Sequence, residues 1–253
     1  MRMHILNGGL LRMRRSVYFA DALRDQTIDL PVSCYLIRHA QGNVLFDTGC
    51  HPQTGVDPQA RWGAATKVMT PLHGADANVV DALAALGLAT DDIDLVVNSH
   101  LHTDHCGCNA FFRRATMVCQ ADELAAARGE LGPRIGMAAQ DWDHPMPFKT
   151  FEADLDLLGD GRVVLMHMPG HTPGMCCALL DFERSPRMLL TSDAVALQAN
   201  LQQGSHPRQT WDLAQADRSM DRIRNLQAQG VEVIYGHDLE QWQGLRKGAG
   251  FYD

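Results

Sequence analysis

Residues 99–105 read Ser-His-Leu-His-Thr-Asp-His and place four side chains that can ligate a metal ion, here called metal-type side chains, within six residues. This run directly follows an apolar run at residues 93–97. Side chains alternate along a strand, so a strand ending here would hold His100 and His102 on one side, and a turn would present Asp104 and His105 from another direction. A neutral imidazole offers one ring nitrogen to a cation, and a carboxylate offers oxygen. Crowded polar rings gain nothing from packing together, so the run predicts a metal site rather than a solvated histidine-rich loop.

Three later residues of the same chemical kind also stand at the ends of apolar, strand-like runs. His171 lies in a turn-rich segment after residues 162–166, Asp193 closes residues 188–193, and His237 follows residues 231–235. Each of them alone is typical of an ordinary loop. Loops at strand ends are where rigid scaffolds carry chemistry, so their recurrence predicts one composite site.

These motifs resemble those of a known family. Residues 100–105 resemble the His-x-His-x-Asp-His signature of the metallo-β-lactamase superfamily. Residues 46–49 (Phe-Asp-Thr-Gly), residues 170–174 (Gly-His-Thr-Pro-Gly), Asp193 and residues 236–238 are similar to its other motifs, so the resemblance covers nearly the whole chain. Within the superfamily, residues 95–100 and 235–242 resemble the N-acyl homoserine lactone lactonases most closely.

The resemblance implies an α/β fold, a four-layer αββα sandwich of mixed sheets with helices outside. It implies a single domain over residues 1–253, made of two similar halves at about 1–160 and 161–253, with the metals at one edge between the sheets. The residues between these motifs agree with such a fold. Residues 78–86 and 209–229 have helical periodicity and end at glycines. Residues 32–38 pair plausibly with residues 44–47 through a turn at Gly42-Asn43.

The resemblance also implies a ligand set. One metal would be held by His100, His102 and His171, and a second by Asp104, His105 and His237, with Asp193 bridging. The expected cofactor is two zinc ions, although cobalt, iron or manganese suit the same nitrogen and oxygen donors. Two such ions, about 3.5–4 Å apart, can share a hydroxide that attacks a carbonyl, and Asp104 would pass a proton to the leaving oxygen, so Asp104 and Asp193 are the expected catalytic residues. Asp47 is expected either to orient a ligand or to be a simple turn former.

The implied reaction is hydrolysis of a lactone, with N-acyl homoserine lactones and hence quorum quenching as the leading expectation. One departure concerns the substrate: the lactonases carry a tyrosine three residues after the bridging aspartate, whereas this chain has Ala196. The missing phenol implies either an altered acyl or lactone preference or another group in its place, such as His206 or Tyr235. The departure keeps open another ester hydrolase of the same fold, such as a catabolic lactonase, a thioesterase or a phosphotriesterase. A protein that uses the metals only to hold its fold is a further alternative.

Residues 131–151 are rich in proline and aromatic residues, which is typical of a structured loop rather than a core element. We predict that this loop forms a wall on the substrate side of the site through Trp142, Met146 and Phe148. The alternative is satellite packing beneath a long loop. Trp62 and Met69 are weaker candidates for the same role.

The resemblance implies a small-molecule lactone or ester as the partner, and composition argues against partners of other classes. The formal net charge of −8 argues against nucleic-acid binding. No apolar run approaches the length of a membrane span, and the N-terminal residues lack a secretory apolar core. The seven cysteines are expected to be free thiols in the cytoplasm, with Cys106, Cys108, Cys176 and Cys177 acting as small buried hydrophobic residues rather than ligands. The expected assembly is a monomer or a homodimer.

Overall fold

Two mixed β-sheets form the interior of the protein, whose computed structural model describes all 253 residues. The first sheet has seven strands in the order β4-β1-β2-β3-β5-β6-β7. The strands are β1 (Arg2–Arg14), β2 (Thr27–His39), β3 (Gly42–Phe46), β4 (Met69–Pro71), β5 (Leu95–Val97), β6 (Thr116–Gln120) and β7 (Phe148–Phe151). The pairs β1–β2, β2–β3 and β1–β4 are antiparallel. The pairs β3–β5, β5–β6 and β6–β7 are parallel.

The second sheet has five strands in the order β12-β11-β10-β9-β8. They are β8 (Leu155–Asp156), β9 (Val163–His167), β10 (Cys176–Leu180), β11 (Met188–Leu190) and β12 (Glu232–Ile234). Only β11 and β12 pair parallel. Their carboxyl ends therefore meet at the same edge of the sheet, which brings the segments that follow them close together.

Eight helices connect or follow the strands. They are α1 (Pro58–Trp62), α2 (Val79–Ala85), α3 (Ala121–Arg128), α4 (Leu131–Arg134), α5 (Ala139–Trp142), α6 (Gln198–Gln203), α7 (Leu213–Ala228) and α8 (Leu239–Gly244). The predicted helices correspond to α2 and α7. The side chain of Asn78 caps α2 by accepting from Val80 N and Asp81 N, and Asp212 caps α7 by accepting from Gln215 N.

Three apolar clusters explain the layering. The largest, of 20 buried residues, joins the facing surfaces of the two sheets and includes Ile37 and Val97 from one and Leu165 and Leu190 from the other. A second cluster packs α2 on the first sheet, and a third packs α7 on the second sheet. Alternating residues of each strand face one cluster or the other, because side chains alternate with period 2. The expected αββα sandwich is confirmed.

The hairpin of β2 and β3 is also confirmed, with Tyr35 opposite Phe46 and His39 opposite Gly42. Strand β1 has no counterpart among the predicted elements, although it pairs with β2 along its whole length. Gly8 and Gly9 interrupt its apolar pattern, and the register shifts between Asn7 and Gly9, where Gly9 has φ +137°. A bulge of this kind hides a strand from pattern analysis.

Residues 131–151 are not the loop that was predicted. They contain α4, α5 and β7, and β7 joins the edge of the first sheet with Phe148 beside Met117 of β6. Prolines at 133, 145 and 147 keep these elements short without excluding them. The first sheet ends at Phe151 and the second begins at Leu155, and the two sheets contain seven and five strands.

No helix combines the length and apolar character that a bilayer crossing requires. All seven cysteines are unpaired, as predicted, and all are buried, including the four for which burial was predicted.

Candidate metal centre

Seven metal-type side chains from four separate loops converge at one edge of the sandwich. The loop after β5 carries His100, His102, Asp104 and His105, and the loop after β9 carries His171. Asp193 follows β11 and His237 follows β12, which lie side by side. The side chains form two groups, and within each group the potential ligand atoms lie within 4.8 Å of one another. The first group is His100, His102, His171 and Asp193, and the second is Asp104, His105 and His237.

The first group is a compact set of three ring nitrogens and one oxygen. His102 Nδ1 lies 3.0 Å from His100 Nε2 and 3.1 Å from His171 Nε2. His171 Nε2 lies 3.2 Å from Asp193 Oδ2. Ligands at about 2.0–2.1 Å from a tetrahedral zinc ion are separated by roughly 3.4 Å, so this spacing is close to that of a tetrahedral site.

The second group lies on the other side of Asp193. His105 Nε2 is 3.7 Å and His237 Nε2 is 3.9 Å from Asp104 Oδ2. The same two nitrogens lie 3.4 Å and 2.9 Å from Asp193 Oδ1. Asp193 therefore directs Oδ2 to the first group and Oδ1 to the second, which is the arrangement of a carboxylate able to bridge two cations.

The outer nitrogens of three imidazoles are occupied by acceptors. His102 Nε2 lies 2.8 Å from the carbonyl oxygen of Ile135, and His237 Nδ1 lies 2.9 Å from that of Pro31. His105 Nδ1 lies 2.9 Å from Asp47 Oδ2. A carbonyl or carboxylate oxygen only accepts, so each of these nitrogens carries the proton. The inner nitrogen of each neutral ring is then a free lone pair aimed at the cluster.

Asp47 contacts both a histidine and the backbone of the metal-type loop. Besides His105, its carboxylate accepts from the backbone N and the hydroxyl of Ser99, each at 2.7 Å. Ser99 Oγ lies 3.0 Å from His100 Nδ1. The backbone of Asp47 has φ +60°, which an aspartate tolerates better than most residues. The structure thus gives Asp47 both of the contacts that the orienting role requires.

The first group is held neutral by its surroundings. Burial lowers the pKa of His100 well below its usual value, and neighbouring histidines lower it further. Burial also lowers the pKa of His102, and lowers that of His171 to about 3. Metal binding requires neutral imidazole, so these shifts favour a cation over protons at this position.

Charge dominates the second group. Burial opposes the charged form of His105, but Asp104, Asp193 and Asp47 outweigh it and raise the pKa of His105 well above its usual value. Burial likewise opposes protonation of His237, and Asp193 outweighs it, so the pKa of His237 is raised. Burial would raise the pKa of Asp193, yet His237, His171 and His105 hold it well below its usual value. The carboxylates thus create a site that favours positive charge.

Two buried atoms of the cluster fit a bound cation. His105 Nε2 and Asp193 Oδ1 are inaccessible to solvent, and neither makes a hydrogen bond of suitable angle, although His237 Nε2 lies 2.9 Å from Asp193 Oδ1. Buried polar groups are ordinarily satisfied, because an unpaired one costs free energy. Both atoms point into the centre of the cluster, where a divalent cation would coordinate them. The residues present therefore fit a metal centre.

A cavity of about 420 Å³ opens directly onto the cluster. Asp104, Asp193 and His102 form its floor, and its apolar walls come from Met13, Val17, Ala65, Val68, Met69 and Ile135. Hollows of similar size elsewhere, such as one of about 540 Å³ bounded by Arg15, Asp21 and Gln26, contain no such cluster. A floor of metal-type groups beneath apolar walls suits an ester with a hydrocarbon chain.

The predicted substrate-side wall is wrong for the side chains that were named. Trp142 packs in a buried cluster with Leu101 and Leu124, and Met146 packs with the cluster around α2. Phe148 is partly buried against the same two clusters. Their apolar surfaces are needed to fix α4, α5 and β7 to the first sheet. The segment does border the cavity, but through Ile135 and Gly136.

Ala196 does not line the cavity either, because it is buried in the cluster that includes Leu11 and Leu197. Of the two weaker candidates, Met69 lines the cavity and Trp62 does not. His206 lies outside, 2.7 Å from Asp217, and Tyr235 is buried beneath α7. Neither of them replaces the missing tyrosine.

Two buried residues that sequence patterns did not single out hold the loops in place. Glu123 of α3 accepts from Leu101 N and Gly174 N, both at 2.9 Å, and so ties the His100–His102 segment to the turn that carries His171. Asp141 of α5 accepts from Thr103 Oγ1 at 2.5 Å and pairs with Arg61. In the sequence they are acidic residues early in α3 and within α5. Nothing at either position predicts that the carboxylate is buried.

The chain is similar to a known protein family and to several lactonases. A model of the metallo-beta-lactamase superfamily matches residues 27–237. The N-acyl homoserine lactonase AiiB of Agrobacterium fabrum is 35% identical over 247 residues, which cover 89% of this chain and 86% of that protein. The N-acyl homoserine lactonase AttM of Azorhizobium caulinodans is 29% identical and covers 100% of this chain and 98% of its own length.

Solved structures are similar throughout the chain. An N-acyl homoserine lactone hydrolase with the product N-hexanoyl-L-homoserine at its catalytic metal centre superposes with a TM-score of 0.89 at 24% identity, covering 99% of this chain and 98% of the other. A quorum-quenching N-acyl homoserine lactone hydrolase superposes with a TM-score of 0.87 at 25% identity and the same coverage. The fold of the chain is therefore that of these hydrolases.

Proposed function

The chain belongs to the metallo-beta-lactamase superfamily, and from this premise we propose that it is a metal-dependent hydrolase that opens the ring of N-acyl homoserine lactones. The proposal rests mainly on the orientation of Asp193. Its two carboxylate oxygens face two different groups of histidines at the floor of an apolar cavity. Full-length similarity to proteins named N-acyl homoserine lactonases supports the lactone as substrate. Removal of such lactones would quench quorum signalling.

The proposed ligands are those expected from the sequence. His100, His102 and His171 would hold one cation, Asp104, His105 and His237 a second, and Asp193 both. Zinc is the proposed metal, because five histidine and two aspartate side chains without thiolate suit it; cobalt, iron and manganese are the alternatives. When bound, the cations supply a nucleophilic hydroxide near neutral pH and polarise the ester carbonyl.

The protein's own groups orient the substrate and move the proton. The apolar walls formed by Met13, Met69 and Ile135 would bind the acyl chain and exclude water from it. Asp104 is half-buried at the cavity floor, where its carboxylate can carry a proton to the oxygen released when the ring opens. Asp47 and Glu123 hold the histidine-bearing loops in register with that carboxylate.

Ring opening releases one proton per ester, so titration with alkali at constant pH tests the proposal directly. N-hexanoyl and N-decanoyl homoserine lactones are expected to consume alkali with metal-loaded protein. Absence of turnover with fully loaded protein would remove the lactonase assignment.

A second candidate is another ester hydrolase of the superfamily, favoured by one observation: Ala196 stands where the lactonases have tyrosine and is buried outside the cavity. A panel of aliphatic lactones, thioesters and aryl phosphotriesters, compared by kcat/KM, separates the two candidates. A higher kcat/KM for any of these than for acyl homoserine lactones would favour the second.

The remaining parts of the proposal concern location and assembly. Seven unpaired cysteines support a reducing compartment such as the cytoplasm. The partner is proposed to be a small molecule rather than nucleic acid, supported by the net charge of −8. A monomer or homodimer stays a prediction.

A further inference from the structure

Tyr18 is a buried side chain that faces the cavity above the candidate metal centre. It follows a short 3-10 turn at Arg15–Val17, between β1 and β2, and is 3% exposed. Its ring lines the same cavity as Asp104 and Asp193, although it comes from the opposite end of the chain. It is the only tyrosine among the residues that line this cavity.

The hydroxyl of Tyr18 lacks a strong partner within the protein. Its hydrogen-bond contact is Met13 Sδ at 3.8 Å, and a thioether is a weak acceptor. A buried phenol ordinarily finds a better partner, because an unsatisfied hydroxyl costs free energy. The O–H group is therefore available to a molecule that enters the cavity.

The surroundings keep this hydroxyl protonated. Burial raises the pKa of Tyr18 well above its usual value, and the charges of Asp193 and Asp104 raise it further. The phenol is thus a donor near neutral pH. A donor that lines the cavity can stabilise negative charge that develops on a substrate oxygen there.

The ring is also held in position. Tyr18 belongs to a buried cluster with Leu11, Trp62 and Ala196. Its backbone carbonyl oxygen accepts from Asn200 Nδ2 at 3.2 Å, which ties it to α6 in the other half of the fold. The small side chain of Ala196 belongs to the packing around this ring. A donor fixed in advance loses little entropy when it binds.

We infer that Tyr18 is a substrate-binding residue whose phenol donates a hydrogen bond to the ester carbonyl oxygen and strengthens that bond as the oxygen gains charge. The inference rests on the proposed ester hydrolysis and deepens it. It assigns to the segment between β1 and β2 the phenol that the sequence lacks after Asp193. It also restricts the substrate to compounds that present a carbonyl oxygen at the cavity floor.

The test compares Tyr18→Phe with the wild type, since phenylalanine keeps the ring and removes only the hydroxyl. Loss of a hydrogen bond to a charged oxygen is expected to lower kcat of the variant by about 10- to 100-fold. The KM of the variant is expected to stay within about threefold of the wild-type value. Calorimetric titration with N-hexanoyl homoserine, the ring-opened product, gives a readout without turnover. Its carboxylate is expected to bind about tenfold more weakly to the variant.

The matched control is Tyr252→Phe, which removes the phenol of a buried tyrosine that pairs with Met3 of β1, does not line the cavity and accepts from Arg246 N. Its kcat and product affinity are expected to equal those of the wild type. Metal content and melting temperature are measured for all proteins, so that loss of cation or of fold is separated from loss of the donor.

Unchanged kcat and unchanged product affinity in a folded, fully loaded Tyr18→Phe protein would overturn the inference while leaving the lactonase proposal intact. If the wild type opens no lactone, the lactonase proposal fails instead. The same comparison is then made with whichever ester of the panel is hydrolysed. If none is hydrolysed, equal affinity of wild type and variant for the carboxylate product overturns the inference.

Discussion

Asp47 and His105 form a buried pair in which the carboxylate Oδ2 accepts a hydrogen bond from Nδ1 of the imidazole at 2.9 Å. The carboxylate also accepts from Ser99 N and Ser99 Oγ, immediately before His100. One side chain therefore orients a histidine of the second group and the loop that begins the first. Such supporting contacts commonly change metal affinity when they are removed.

Replacing Asp47 with asparagine is expected to weaken binding of the more weakly held cation by about 10- to 100-fold, because the amide cannot supply the same acceptors. Asparagine tolerates the φ of +60° at this position, so the backbone need not change. Competition with a chromophoric chelator measures the affinity. Asp29→Asn, which removes a surface partner of Arg12, is the control and should bind like the wild type. Equal affinity of Asp47→Asn and wild type would contradict the orienting role.

Asp193→Asn tests the shared carboxylate. Loss of the charge that faces both groups is expected to remove at least one equivalent of cation and to lower kcat by about 100-fold or more. Metal analysis and lactone titration on the same preparation measure both effects. Asp217→Asn, an exposed carboxylate beside His206, should change neither. Two bound cations together with wild-type turnover in Asp193→Asn would show that the bridge is not needed.

Glu123 predicts a pH dependence of stability. Burial raises its pKa to about 7 from an unfolded value of 4.5, although the backbone N–H groups of Leu101 and Gly174 donate hydrogen bonds to it and lower the pKa. The folded state therefore binds the proton more tightly than the unfolded state. The resulting stability is present in full below pH 4.5 and is lost as the pH rises through about 7. The loss amounts to about 3 kcal/mol over this interval.

Glu123→Gln removes this titration and leaves one backbone donor without its acceptor. Its free energy of unfolding is expected to be lower than that of the wild type at pH 4.5, and the difference should shrink by about 3 kcal/mol by pH 7.5. Urea unfolding at fixed metal loading measures the two curves. Glu130→Gln, an exposed replacement after α3, should follow the wild-type curve. Parallel curves for Glu123→Gln and wild type would contradict the raised pKa.

Met69→Ala tests the apolar wall. Removing about three heavy atoms from the acyl-binding surface is expected to raise KM for a decanoyl lactone by about tenfold and to leave a butanoyl lactone nearly unchanged. Initial rates over chain length measure the difference. Leu213→Ala shortens an exposed apolar residue outside the cavity and should alter neither KM. An equal effect on both chain lengths would place the acyl chain elsewhere.

The sequence predicts the candidate centre well because its groups are local and chemically distinctive. The run at residues 99–105 needs no tertiary information to be noticed, and each of His171, Asp193 and His237 ends an apolar run. Helix α7 is predictable for a similar reason, since its apolar spacing and the Asp212 cap lie within the helix itself.

The supporting residues are less predictable because their roles depend on contacts between distant segments. Trp142 and Phe148 look exposed in a proline-rich stretch, but Trp142 is buried with Leu101 and Leu124, and the pairing of β7 with β6 places Phe148 against the first sheet. Tyr18 lies about 175 residues from Asp193 in sequence, outside every motif that the sequence offers, and only the folding of the chain brings it to the cavity. Glu123 has the sequence appearance of a helix-start residue and is wholly buried.

The two-cation site at Asp193 is tested most directly when the cation content of the protein and its lactone turnover are measured together. Protein prepared without chelators is expected to contain two equivalents of a divalent transition metal, to lose turnover when a chelator removes them, and to recover it when two equivalents of zinc are restored. Turnover that persists in metal-free protein, or a folded protein that binds fewer than two equivalents under any loading, would contradict a shared two-cation site at Asp193.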